Sequence, residues 1–233
     1  MPIQILSDEI ASQIAAGEVV ERPASVVKEL LENALDAGAS HITITIEGAG
    51  KRLIEVADNG SGITAYELPL AVSRHATSKL TSTDDLFRIE TLGFRGEALA
   101  SIGSVSRLRI TSRPKDVDMG TSLQVDGGLA AAPLPVGVPA GTVIRVEDLF
   151  YNVPARLKFL KTDRTERRQI DTLVTRYALA YPQVRFLLRN DGRNSLQTSG
   201  NGKHREVLAT LYGVEIVKQM IEVLAKDDQI SVK

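Results

Sequence analysis

The amino-acid sequence predicts an α/β (α+β) two-layer sandwich, with one mixed, largely antiparallel sheet covered by helices. Short segments of alternating β-branched residues occur in adjacent pairs joined by turn residues, the pattern of antiparallel hairpins. Amphipathic stretches at helical spacing are interleaved with them, so strands and helices share one core. Of the 233 residues, 43% are hydrophobic and none of the apolar runs approaches a membrane span, which suits a globular chain with a sizeable core.

Helical signals open the chain. Ser7 is placed to cap a helix through Ala16, with Gly17 as its stop. Pro23 stands where a first helical residue is favoured, and the pattern from there runs to Ala37 and ends at Gly38. ITITIE and LIEVAD then read as two strands of a hairpin, with GAGK as a tight turn. A polar stretch containing RHATSKL leads to GFRGEALASIGS, two glycines followed by a helical run. SRLRITSR, TSLQVDG and GTVIRVEDL are further strands, and PLPVGVPAG is expected to be loop.

TERRQIDTLVTRYALAY places Ile170, Leu173, Val174 and Tyr177 at helical spacing. VRFLLRNDGRNSLQT reads as a hairpin turning at Asp191-Gly192, and SGNGK as a linker. The expected organisation is one domain over residues 1–200, with residues 201–233 beginning a second one that is too short here for its own core.

Composition narrows the chemistry. A formal net charge of -1 provides no global field for nucleic acid, so such a contact needs a local patch. The absence of Cys excludes disulfides and thiolate metal sites and points to a cytoplasmic location. His41, His75 and His204 lie far apart and do not suggest a His-rich metal site. The acidic start, MPIQILSDEI, is unlike a signal peptide, and no membrane contact is expected.

Three features carry candidate chemistry. In KELLENALDAGA, Val26, Val27, Leu30, Leu31, Ala34 and Leu35 fill one arc of a helix, and Glu29, Glu32, Asn33 and Asp36 fill the other. A solvated acidic face is one reading. The other uses the i, i+4 pair Glu29 and Asn33, which can present a carboxylate and an amide oxygen to one point, enough to hold Mg²⁺ and orient a water. DNGSGI, from Asp58, is either a plain turn or a place where backbone approaches a ligand closely. GFRGEAL, from Gly93, has glycines before a helix start that can aim N–H groups at an anion. No P-loop, dinucleotide-binding G-x-G-x-x-G or G-x-S-x-G elbow is present.

In this order and spacing, the three features resemble the ATP site of the family that joins DNA gyrase, a heat-shock chaperone, sensor histidine kinases and the MutL DNA mismatch-repair proteins. IAAGEVVERPASVVKELLENALDAGA, DNGSGI, RHATSK, LGFRGEALASI and LFYNVPARLKFL are similar to MutL-type signatures and cover most of the chain to about residue 182. The resemblance implies a Bergerat-type ATP-binding fold, with a ribosomal-protein-like second domain, and ATP and Mg²⁺ as cofactors. Glu29 would be the general base and Asn33 the Mg²⁺ ligand. Asp58 would accept from the adenine amine, assisted by Thr142. Lys79 and the segment Gly93, Phe94, Arg95, Gly96, Glu97 and Ala98 would hold the phosphates, with Asp36, Gly60, Gly62 and Thr77 lining the pocket. Glu32 is left as a solvated member of the arc.

The same resemblance implies slow ATP hydrolysis that drives homodimerisation and couples a mismatch-recognition protein to a nuclease and a helicase on bacterial DNA. Ile5, Ile10 and Ile14 are placed either to pack on a partner or to dock on their own domain. Arg156, Lys158, Lys161, Arg164, Arg167 and Arg168 read as a solvated basic face or as non-specific contacts to the DNA backbone. Val153 and Gly103 depart from the family pattern at positions without an assigned role. The family also supplies a phosphate-contacting lysine from its second domain, so ATPase activity is expected to be weak or absent in this stretch alone. A non-catalytic, nucleotide-gated DNA-binding scaffold is the alternative. A topoisomerase subunit or histidine kinase is disfavoured by the form of the first helix block and the lack of a phosphoacceptor helix.

Overall fold

The computed structural model describes residues 8–74, 76, 92–93, 96–221, 225–226 and 231–232. Its described strands β1 (His41–Glu47), β2 (Leu53–Asp58), β3 (Arg107–Arg113), β4 (Gly120–Asp126), β5 (Leu129–Ala130), β6 (Leu134–Val136), β7 (Gly141–Glu147), β8 (Arg185–Asn190) and β9 (Arg193–Gln197) form one sheet. The order is β5-β4-β3-β7-β2-β1-β8-β9, with β6 also pairing β4. Among these described pairings only β1 with β8 is parallel, so the sheet is mixed and largely antiparallel as expected.

Alternation places one face of every long strand inward. Two inward rows are apolar across the sheet: Ile46, Ile54, Val146, Leu108 and Val125, then Ile44, Val56, Ile144, Ile110 and Leu123. The third row changes character, running Ile42, Asp58, Thr142, Ser112 and Thr121. On the opposite face, polar partners such as Glu55 and Arg145 pair in water, 3.1 Å apart.

Helices cover the inward face. α2 (Pro23–Asp36) buries Val26, Val27, Leu30, Leu31 and Ala34 and packs on β2 and on a later helix, α6 (Asp163–Ala180). Pro23 supplies the first helical residue, and Gly38 closes the C-terminus at φ +70. α6 begins at a cap absent from the sequence reading, where the Thr162 side chain accepts from the Thr165 N–H. Among the described residues, no helix is long and apolar enough to cross a membrane.

Several local expectations are corrected. α1 (Asp8–Val19) runs through Gly17 instead of stopping there. The bare flank at Gly17 receives the Arg156 guanidinium, which donates to the carbonyls of Gln13 at 2.9 Å and Val20 at 3.4 Å; a Cβ on Gly17 would lie 1.9 Å from its Nη2. Packing of α1 against α4 (Ala98–Ser104) thus outweighs the helix-stopping tendency of glycine. The Arg156→Ala variant is expected to lose about 1–3 kcal/mol, because charge-assisted bonds to partly buried carbonyls vanish together. Urea denaturation checks this, and an unchanged midpoint and slope would refute it.

PLPVGVPAG is not all loop. Leu134–Val136 form β6 at the sheet edge, where Pro135 is tolerated because an edge strand has N–H groups to spare. GAGK holds a short 3-10 turn, Gly48–Gly50, and the short helices α3 (Leu68–Ala71), α5 (Pro154–Phe159) and α8 (Val214–Gln219) carried no clear sequence signal. The β8–β9 hairpin turns at Asp191 and Gly192, both with positive φ, as that dipeptide predicts. After SGNGK comes α7 (His204–Tyr212), which packs on α6 and β9 and places Val207 in the main core. Ser7 lies outside the described residues, as do the side chains of Ile5 and Ile10.

Candidate nucleotide site

The polar third row of the sheet is where the inward face stops being a core. Above it, α2, the loop after β2 and the start of α4 enclose a cavity of about 1260 Å³. From α2 come Glu29, Asn33 and Asp36; from the sheet ends come Asp58 and Thr142. Gly62, Gly93, Gly96, Glu97 and Ala98 complete the polar wall. Leu30, Ala34, Val56, Ile63 and Ile144 supply an apolar floor, the mixture expected of a pocket for a flat heterocycle with a charged tail.

Asp58 and Thr142 are cross-strand partners, which brings them side by side from positions 84 residues apart in the chain. Burial pushes the Asp58 carboxyl up to about 6, against the opposing hydrogen bonds from the backbone N–H groups of Gly60 and Thr142. Gly60 does not line the cavity: it is buried, and its N–H donates to Asp58 Oδ1 at 2.8 Å, so its part is to orient the carboxylate. Gly62 adopts φ +76, and a Cβ there would lie 2.5 Å from the Arg113 carbonyl, so this turn requires glycine.

Ser112, one strand further along the same row, escaped the sequence reading. Its hydroxyl is buried and joins Thr142 Oγ1 at 2.8 Å, accepts from the Ile63 N–H at 2.8 Å and reaches the Gly141 carbonyl at 3.1 Å. It therefore fixes the Thr142 hydroxyl and ties the DNGSGI loop to the sheet. The available signal was a polar residue at an inward strand position, which alternation alone flags.

Asp36 turns out to hold the glycine-rich segment. Its carboxylate accepts from the N–H of Leu92 at 3.1 Å and of Gly93 at 3.4 Å, anchoring that segment to α2. Glu32 is corrected: it is 6% exposed and lines the cavity, not a solvated residue. Thr77, Lys79, Phe94 and Arg95 lie outside the described residues.

The basic segment divides. Lys158, Lys161, Arg164 and Arg168 are exposed, whereas Arg156 is committed to α1 and Arg167 pairs with Asp191. Ile14 is exposed on α1.

Comparison with known proteins agrees with this geometry. Residues 21–128 match the family described as histidine kinase-, DNA gyrase B- and HSP90-like ATPases. The DNA mismatch repair protein MutL of Streptococcus sanguinis is 51% identical over 95% of this chain, and that of Lactococcus lactis subsp. cremoris is 50% identical. The chain spans 34% of the length of these curated relatives. Among solved structures, the Aquifex aeolicus MutL ATPase domain complexed with ADP is 36% identical and superposes with a TM-score of 0.66, over 83% of this chain and 70% of that one. Another structure of that ATPase domain gives 0.70 at 34% identity, over 91% and 71%. With the sheet order, the nucleotide-sized cavity and these likenesses together, the chain belongs to the MutL family of DNA mismatch-repair proteins, as an ATPase domain of the Bergerat fold.

Proposed function

We propose that this domain binds ATP with Mg²⁺ in the cavity above the polar row and hydrolyses it slowly, as the nucleotide switch of a mismatch-repair protein. The observation that carries the reading is the convergence of Glu29 and Asn33 from α2 with Asp58 and Thr142 from two strands around one cavity. The Asp58 carboxylate accepts from the exocyclic amine of adenine. Guanine would place a carbonyl oxygen there, two acceptors facing each other in a buried site, so the pocket selects ATP over GTP. The N–H groups from residue 93 to residue 98 and Lys79 take the phosphates.

The donors offered to a metal are hard oxygens, one amide and one carboxylate a helical turn apart, which suits Mg²⁺ held mainly by phosphates and water. Asn33 would hold it. When bound, the ion would neutralise phosphate charge. Glu29 orients the water and takes its proton as the phosphorus–oxygen bond to the leaving ADP breaks, while fixed N–H dipoles stabilise the charge that develops. Equilibrium binding of Mg·ATP with GTP as competitor tests this; equal affinity for the two would refute the Asp58 assignment.

On this reading ATP drives homodimerisation, and the dimer relays mismatch recognition to a nuclease and a helicase in the bacterial cytoplasm. Light scattering with a non-hydrolysable ATP analogue should show a doubled mass, and an unchanged mass would oppose it. On the same reading residues 201–233 begin a second, ribosomal-protein-like unit, which would meet the first domain through α7, whose Val207 packs in the main core.

DNA contact is assigned to the exposed cations Lys158, Lys161, Arg164 and Arg168, through phosphates and without sequence preference. Reversing charge at Arg164 and Arg168 together is expected to weaken DNA binding about tenfold or more at low salt and to flatten its salt dependence by roughly two counterions. Filter binding across a salt series checks this, and an unaltered slope would remove the assignment.

A further inference from the structure

α2 and α6 share a partly buried charged cluster around Glu29 whose other members, Lys28, Glu32 and Tyr177, the mechanism above does not use. Glu32 sits inside the contact between the two helices. Its Oε1 accepts from the Tyr177 hydroxyl at 2.5 Å, and its Oε2 accepts from Lys28 Nζ at 2.8 Å. The same ammonium reaches Glu29 Oε1 at 3.2 Å. Lys28 thus serves two carboxylates and lies nearer to Glu32.

The protonation states are one-sided. Burial, then the bond to Glu32, raises Tyr177 well above the ordinary phenol range, so its hydroxyl keeps its proton and donates. Burial opposes the charge on Lys28, but its bonds to Glu32 and Glu29 outweigh that and raise it, so it remains an ammonium. From α6, Tyr177 faces this cluster, with the ring of Tyr181, just past the end of that helix, stacked on it; from α2, the described groups are Lys28, Glu29 and Glu32.

A general base needs an open lone pair and enough basicity to take a proton. An ammonium bonded to it reduces both. Glu32 competes for that ammonium, and it can do so from a buried position because Tyr177 satisfies its other oxygen. We propose that Glu32 and Tyr177 are positioning residues that hold the Lys28 ammonium toward Glu32 and so leave the Glu29 carboxylate open to water. The inference rests on the reading of Glu29 as the base.

The test is a mutant cycle in steady-state ATP turnover. Tyr177→Phe keeps the stacked ring and removes only the hydroxyl; it should lower kcat about threefold with the KM for ATP within about twofold of the parent. Glu32→Gln should lower kcat about tenfold, again with the KM for ATP within about twofold of the parent, since Lys28 then pairs with Glu29 alone. In a Lys28→Met background both substitutions should lose most of their effect. Costs that persist undiminished in that background would overturn the inference, assigning Glu32 and Tyr177 to the fold alone. Turnover that survives Glu29→Ala would instead overturn the base itself, which separates the two failures.

Discussion

The Asp58→Ala variant is expected to bind Mg·ATP at least about a hundredfold more weakly than the parent, with an intact fold. On the proposed reading the loss combines the charge-assisted bond that would read adenine with the orientation of Thr142 beside it. Affinity of the parent should also follow pH. An ionised Asp58 accepts more strongly than a protonated one, and burial pushes its carboxyl up to about 6. ATP affinity should therefore be flat above that pH and fall below it. Isothermal titration from pH 5 to 8 decides the matter; affinity with no inflection in that window would remove Asp58 from the site.

The same shift has a stability consequence of opposite sign to the usual carboxylate. The folded protein holds the Asp58 proton more tightly than the unfolded chain does, so stability falls as pH rises from the ordinary carboxylate range through about 6. In the absence of nucleotide at neutral pH, Asp58→Asn should accordingly raise stability by roughly 1–2 kcal/mol, while at pH 4 it should bring almost no gain. On the proposed reading, the domain carries a desolvated, ionised acceptor that the adenine amine would relieve.

Replacing Glu29 is expected to separate binding from turnover. Glu29→Ala should reduce kcat by about 10² to 10⁴-fold, the usual contribution of a general base, and leave ATP affinity nearly unchanged. Asn33→Ala should weaken Mg·ATP binding itself, because on the proposed reading its amide oxygen would hold the ion. Turnover by rapid quench and binding by titration, measured on both variants, give two patterns that must not coincide. Parent-like turnover in Glu29→Ala would end the assignment.

Much of this arrangement was legible before any coordinates. Pro23, the apolar spacing to Ala34 and Gly38 define α2 locally, and β-branched alternation defines β1 and β2, because those signals act within a few residues. The polar arc of α2 was legible as an arc, but spacing alone could not say which members face water. Glu32 shows why: it lies on the same arc as Glu29, and only the arrival of α6 with Tyr177 buries it. Arg156 reads in sequence as one of six basic residues, and only the bare flank of Gly17 on a distant helix turns it into a pin for α1.

The sequence by itself determined the elements whose energetics are local, namely the Pro23 start and Gly38 stop of α2, strand alternation and the Asp191-Gly192 turn, together with the residue types available for nucleotide chemistry. Tertiary structure decided everything that depends on contacts between distant segments. The parallel pairing of β1 with β8, the register that sets Asp58 beside Thr142 and Ser112, and the sharing of Lys28 between two carboxylates have no local signature. Register is chosen by burying the whole inward face at once, so the polar row that makes the site is located by the apolar rows beneath it.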